Sequence, residues 1–256
     1  MYFRKTDAVV LHRTDFGEAD ILVTLYTSSA GKIRGVAKGA KKSHKRFMNT
    51  LQPFSYIRVI FAEQKGGLIR IDQADIIRPF LHISDVISRV LYGFYVLELV
   101  ERMSAEREAN PQVFDFLVSV LGILDRGTPR EELLRYFELR VLDLFGYRPR
   151  LGECTVCSQT IASGRDRWFS FRHGGIVCSE CKRHVAGGIP ISHETTTFME
   201  RMFTLKVEES FDMRFPDKVR HEAKYLLPRF VQYQLGRELK SLRVLEEIQE
   251  REEGAQ

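Results

Sequence analysis

Cysteine is scarce in this 256-residue chain, and its four copies all fall in one stretch, CTVCSQTIASGRDRWFSFRHGGIVCSEC, from Cys154 to Cys181. The single tryptophan, Trp168, lies in the same stretch. No apolar run approaches the roughly 20 residues that cross a bilayer. The longest, VLYGFYVLELV, is interrupted by Glu98. The opening MYFRKTDAVV has no apolar core of signal-peptide length. These absences place the expected setting in a reducing cytoplasm, where clustered cysteines favour a metal over disulfides. Catalytic signatures are missing too: there is no G-x-x-x-x-G-K-[ST], no G-x-S-x-G and no H-E-x-x-H. The pairs Glu131-Glu132 and Glu208-Glu209 sit in helix-start or charged contexts that need no chemistry to explain them. The expectation is a protein that is not an enzyme.

Acidic residues are also missing where basic ones concentrate. Residues 1–80 hold fourteen Lys and Arg against seven Asp and Glu, whereas the rest of the chain is slightly acidic. From Lys32 to Arg46 the sequence KIRGVAKGAKKSHKR contains seven cations and no carboxylate. A charge asymmetry of this kind points to a nucleic-acid-binding module joined to a near-neutral scaffold.

Residues 5 to about 78 alternate with period two, giving five candidate strands: TDAVVLHR, ADILVTLYT, GKIRGVAK, FSYIRVIFA and GGLIRIDQADII. Five short strands in so little chain fit a small closed barrel better than an open sheet with exposed edges. If GKIRGVAK is a strand, Lys32, Arg34 and Lys38 share one face. The next loop adds Lys41, Lys42, Lys45 and Arg46, a grouping suited to tracking phosphates. Phe54 and Tyr56 are placed on one face of the following strand as stacking surfaces.

Beyond Arg78-Pro79 the period becomes helical, over 83–103, from Pro111 through 124, and over EELLRYFELRVLDLFG with Gly146 as its stop. Helices resume near 194–205 and from Asp217, where Pro228 is expected to kink or split the last element. The charged tail from Glu246 is expected to fray.

The cysteine spacing, C-x2-C-x20-C-x2-C, lets two knuckles offer Cys154, Cys157, Cys178 and Cys181 to one zinc ion, at the edge of the usual ribbon range. Four thiolates leave no position for a catalytic water, so a structural zinc, one per chain, is expected. RWFSFRHGGIVC reads as the ribbon's hairpin, with His173 and His184 as surface histidines outside the ligand set.

Several segments together resemble one known family. TDAVVLHRTDFGEADILVTLYTSSAGKIRGVAKGAKK, with its Gly-Glu-x-Asp turn and Ala-Lys-Gly-Ala step, is similar to the N-terminal opening of the bacterial RecO family. LQPFSY, YFELRVLDLFGYRPRLGECTVC, GGIVCSEC and YQLGRELKSLRVL resemble later family segments in the same order. The resemblance implies an α+β multi-domain chain: an N-terminal five-stranded OB-fold barrel for DNA (1–80), an α-helical domain (81–256), and a zinc ribbon inserted in it (151–190). It also implies binding of single- and double-stranded DNA, annealing of complementary strands, and action with RecR that loads RecA onto DNA covered by SSB, in the cytoplasm and at the nucleoid during repair. For the acidic SSB tail, Arg237, Lys240 and Arg243, spaced i, i+3, i+6 beside Leu239 and Leu242, offer a basic rim. The residues alone admit two other readings: an RNA-binding factor in translation or ribosome assembly, and an interaction scaffold whose basic run meets an acidic protein tail. Arg165, Arg167 and Arg172 in the clip are the reserve DNA site.

Overall fold

The computed structural model describes residues 2–47, 49–63, 67–127 and 130–253; for His44, Lys45, Glu252 and Glu253 only the backbone is described. The chain divides into two compact units, Met1–Thr128 with Arg243–Gln256, and Pro129–Leu242.

In the first unit five strands close into a barrel: β1 (Phe3–Phe16), β2 (Asp20–Thr27), β3 (Gly31–Ala37), β4 (Tyr56–Glu63) and β5 (Ile69–Arg78), in the order β1-β2-β3-β5-β4. The interior is filled by alternate residues, among them Val10, Val23, Leu25, Ile33, Val59, Phe61 and Ile71. Each such side chain contributes about 1.5–3 kcal/mol on leaving water. Closure depends on the parallel contact of β3 with β5, which spans only Gly35↔Ile69 to Ala37↔Ile71. A side chain at Gly35 would collide with Ile69 there. A one-turn helix that the strand pattern did not reveal, α1 (His44–Phe47), follows β3 and sends Phe47 into the barrel core.

A 3-10 turn (Leu81–Asp85) leads to α2 (Ile87–Met103) and α3 (Pro111–Arg126), both grouped with the barrel. Asn110 caps α3 through its side-chain oxygen, which accepts from the Val113 amide, and Pro111 occupies the first turn. The segment between the two helices completes the free edge of β3: the Arg107 amide donates to the Lys32 carbonyl at 2.9 Å. At that point the chain approaches so closely that only glycine fits at 31, where φ is +63° and a Cβ would overlap the Glu108 carbonyl.

The second unit holds α4 (Glu131–Leu144), β6 (Arg167–Ser170), β7 (Gly175–Cys178), α5 (Ser179–Lys182), β8 (Ile189–Pro190), α6 (His193–Met202) and α7 (Asp217–Leu235). The last helix, α8, covers Lys240–Glu253. Pro228 neither splits nor ends α7. The carbonyl it leaves without a helical donor, that of Lys224, accepts from Arg135 Nη1 at 3.4 Å. The break falls later, at Gly236, which takes the left-handed conformation (φ 63°) and separates α7 from α8. The tail expected to fray from Glu246 is helical through Glu253. No described helix is long and apolar enough to cross a membrane.

Gly31→Ala should destabilise the first unit by about 2 kcal/mol or more, because backbone strain and overlap act at one position. Thermal unfolding of the variant against the parent checks this; an unchanged midpoint would mean that the Glu108 segment is free to withdraw.

Candidate nucleic-acid interface and metal centre

The basic run is divided by its surroundings. In β3 the buried residues are Gly31, Ile33, Gly35 and Ala37, so Lys32, Arg34 and Lys38 belong to the outer face as the alternation predicts. Lys32 does not reach solvent as a free cation: its Nζ donates to the Glu101 carbonyl at 2.7 Å. Carbonyls in the last turn of a helix lack internal donors, and Lys32 satisfies one at the negative end of α2. Arg34, Lys38 and Lys42 are exposed, and among the described residues no carboxylate lies within ion-pair distance of them. Arg46 is half-buried and folded onto its own loop, donating from Nη2 to the Lys38 carbonyl at 2.8 Å, and it lies over the Phe47 ring. It shapes the loop that carries Lys38. The side chain of Lys45 lies outside the described residues.

Lys41 is exposed but paired, its Nζ 3.1 Å from Asp15 Oδ2 and 3.1 Å from the Gly17 carbonyl. Hydrogen bonds from Lys41 and then Arg13 hold the Asp15 carboxyl below its usual range. With the Gly39 amide bound to Asp20 Oδ1 at 2.8 Å, these contacts seat residues 39–41 against the β1–β2 turn. Phe16, the last residue of β1 before that turn, is 53% exposed. Phe16 is therefore an exposed ring next to the turn that Lys41 contacts, and the strand pattern did not reveal it, because the cue is a turn contact across 24 residues.

Phe54 and Tyr56 do not offer the stacking faces expected of them. Phe54 precedes β4, is buried, and meets Phe94 of α2 at 4.9 Å between ring centres. Tyr56 is half-buried, edge-on to Phe114 at 5.8 Å, with its hydroxyl donating to Asp7. The helices cover this part of the barrel's outer surface, a tertiary event with no local signature.

In the second unit the four cysteines converge. Their sulfur atoms all lie within 4.8 Å of one another, and Cys157 Sγ and Cys178 Sγ are 3.9 Å apart. The edge of a tetrahedral four-thiolate shell with Zn–S bonds of about 2.3 Å is about 3.8 Å, so the cage fits a metal ion of that size. The hairpin β6–β7, with its turn at Phe171–Gly174, delivers the second knuckle. The Cys178 amide donates to Cys154 Sγ at 3.4 Å and the Cys181 amide to Cys178 Sγ at 3.5 Å. Burial opposes ionisation of Cys154, but amides of Cys157, Cys178 and Val156 outweigh it and hold the thiol down at about 6. Cys181 is pushed up to about 12, chiefly by its hydrogen bond to Cys178. Four thiolates cannot crowd together unless a cation shares the space. His173 and His184 are exposed and outside the cluster.

Arg167, one of the reserve DNA residues, is buried and donates to the Ala162 carbonyl at 2.9 Å, so it braces the clip. Arg165 and Arg172 are exposed. The proposed rim of Arg237, Lys240 and Arg243 is not one helical face. Arg237 lies in the linker after Gly236, and Lys240 and Arg243 belong to α8, where Arg243 pairs with Glu247 at 3.7 Å. Leu239 and Leu242 are buried and leave no open apolar floor.

Metal uptake at neutral pH should release protons, because Cys181 enters the shell from its protonated form. Calorimetric titration of metal-stripped protein in buffers of different ionisation enthalpy measures the number released; none would contradict thiolate ligation. Cys181→Ser should lower both metal content and thermal stability.

Comparison with known proteins places this architecture. Residues 1–80 match the family model for the recombination protein O N terminal region, and residues 85–243 match that for its C terminal region. DNA repair protein RecO of Syntrophus aciditrophicus (strain SB) is 34% identical over 248 residues, covering 96% of each chain. The protein of the same name from Anaeromyxobacter dehalogenans (strain 2CP-C) is 32% identical over 95% of this chain and 96% of its own. That from Dehalococcoides mccartyi (strain ATCC BAA-2266 / KCTC 15142 / 195) is 31% identical over 95% of both. The two family models cover the barrel and most of the helical part, the relatives span nearly the whole chain, and the chain belongs to the RecO family of DNA repair proteins.

Proposed function

We propose that this chain is a recombination mediator without catalytic chemistry of its own. It binds single- and double-stranded DNA through the barrel, anneals complementary strands, and with RecR assists the loading of RecA onto single strands covered by SSB. The observation that carries the DNA reading is the set of cations without an acidic partner on the outer side of β3 and in the loop after it, Arg34, Lys38 and Lys42, with Phe16 exposed beside the β1–β2 turn that this loop contacts. Such a surface neutralises phosphates without reading sequence and offers a ring to an unstacked base. Annealing then requires no bond making in the protein: cations lower the repulsion between two strands, and base pairing supplies the driving force.

For the metal we propose zinc, one per chain, held by Cys154, Cys157, Cys178 and Cys181. Soft thiolate donors in a closed four-coordinate shell favour it, and the ion fixes the hairpin and both knuckles without an open coordination position. By sequence region we propose 1–80 as the DNA-binding barrel, 81–256 as the helical domain, whose α2 and α3 group with the barrel, and 151–190 as its metal-binding insertion. The contacts with RecR and SSB rest on family membership.

Binding of a labelled oligonucleotide across a salt series tests the barrel. Lys38→Glu with Lys42→Glu should weaken binding alike for all sequences and reduce the slope of log K against log salt by well over one unit, at about 0.7 per lost contact on single strands. The same double variant should lose strand annealing. An unchanged slope would remove the interface from this loop, and a matched RNA strand bound more tightly than DNA would favour an RNA-binding factor.

Asp15→Asn gives the opposite sign. Removing the carboxylate releases Lys41 to phosphate, so affinity should rise and the slope steepen by about 0.7. Weaker binding in that variant would mean that Asp15 serves by positioning the loop.

A further inference from the structure

One charged surface of the second unit is absorbed neither by the barrel nor by the cysteine cage. Helix α7 is amphipathic: Val219, Ala223, Leu226, Leu227, Phe230 and Val231 face the core. On its outer side, at successive i+4 positions, stand Tyr225, Arg229 and Tyr233. The tyrosines are 51% and 50% exposed, large fractions for rings on a packed helix. The sequence from Ala223 to Arg237 contains no carboxylate, the run being bounded by Glu222 and Glu238.

Both rings are held in place. Arg229 lies over the Tyr225 ring at 3.9 Å from its centre and donates from Nη1 to the Tyr225 carbonyl at 2.7 Å. Among the described residues no carboxylate pairs with Arg229, so the guanidinium keeps its full charge while its plane is fixed against an aromatic face. Tyr233 is anchored from below by a chain of rings. It meets Phe171 at 5.8 Å, Phe171 stacks on Phe230 at 5.9 Å, and Phe230 contacts the fully buried Phe169 at 5.0 Å. Phe171 opens the β6–β7 turn, whose next residue, Arg172, is exposed.

From this arrangement we infer that the outer face of α7 is a second binding strip for single-stranded nucleic acid, with Tyr225 and Tyr233 stacking on bases and Arg229 and Arg172 meeting phosphates. Eight residues of helix separate the two rings by about 12 Å, the length of about three to four stacked nucleotides. Pre-ordered rings lose little freedom on binding, and base–aromatic stacking is tolerant of sequence. An acidic peptide ending in an aromatic residue is the poorer match, because such an end group needs a concave apolar pocket and this strip is the convex side of a helix. The inference deepens the nucleic-acid reading above and rests on it. It assigns to the second unit a contact with the strand that the barrel cations do not make.

The test uses the full-length, metal-loaded protein and a single-stranded oligothymidylate probe in which some bases carry a photoreactive iodo group. Irradiation and peptide mapping should place adducts on the segment containing Tyr225 and Tyr233. Tyr225→Ala with Tyr233→Ala should weaken binding by about tenfold with little change in salt slope, because stacking and not charge is lost. The corresponding Phe pair should restore the affinity. Arg229→Ala should instead flatten the slope by about 0.7. The inference falls if the Ala pair melts like the parent and binds like it. Should the Ala pair fold poorly, adducts confined to residues 32–46 in the parent protein overturn it equally. Loss of an acidic peptide by the Ala pair with oligonucleotide binding intact would also overturn it, in favour of a protein partner. Loss of binding in the barrel variant alone sinks only the α7 strip, whereas full binding in both variants sinks the DNA reading of both surfaces.

Discussion

The short parallel contact between β3 and β5 is the constraint on which the arrangement of the first unit depends. A five-stranded barrel must close on itself, and here closure uses only residues 35–37 of β3, with glycine at 35 admitting Ile69. The rest of that strand edge is left with unpaired backbone groups, which cannot stay unsatisfied beneath packed helices. The segment between α2 and α3 supplies the partner at Arg107 and approaches so closely that position 31 must be glycine. Lys32 is thereby drawn to the end of α2, and Tyr26 and Tyr56 are covered. Among the described barrel residues left exposed are Arg34 on the outer side of β3, Lys38 and Lys42 after it, and Phe16 at the end of β1. The capture of Lys32 follows from how the barrel closes.

Charge compensation then grades the basic run. Lys32 is spent on a helix terminus, Lys41 on Asp15, and Arg46 on the carbonyl of Lys38. The last two contacts fold the loop so that Lys38 and Lys42 stand away from acidic groups. Cations that organise the loop and cations left without an acidic partner are thus neighbours in sequence. Net charge cannot separate them.

In the second unit the same logic operates on buried polar groups. Arg135 and Glu138 form an ion pair at 3.1 Å with almost no exposure. Removing either partner from such a pair leaves an uncompensated charge, a loss of several kcal/mol. Arg135 also takes the carbonyl that Pro228 leaves without a donor, which is why the proline is carried within a continuous helix. Arg167 donates hydrogen bonds to carbonyls of the clip, and burial lowers its pKa. The cage needs no help from histidine, since two knuckles and their amides already direct four sulfurs inward.

The sequence by itself determined those features that local periodicity and spacing encode. Alternation marked the five strands and the inward set of β3. Proline and glycine marked the starts and stops of α3 and α4, and paired C-x2-C spacing marked the thiol cage, because two residues between cysteines leave both side chains on one turn. It did not disclose α1, the burial of Phe54, the capture of Lys32, or the exposure of Phe16. Each of these depends on a contact between residues distant in the chain. The i, i+3, i+6 spacing of Arg237, Lys240 and Arg243 suggested a basic rim, but the left-handed Gly236 ends α7 before them and divides them between a linker and α8. The Tyr225–Arg229–Tyr233 ladder was written in the sequence at helical spacing. Only the tertiary structure decided that it faces outward, because the opposite stripe had a core to bury.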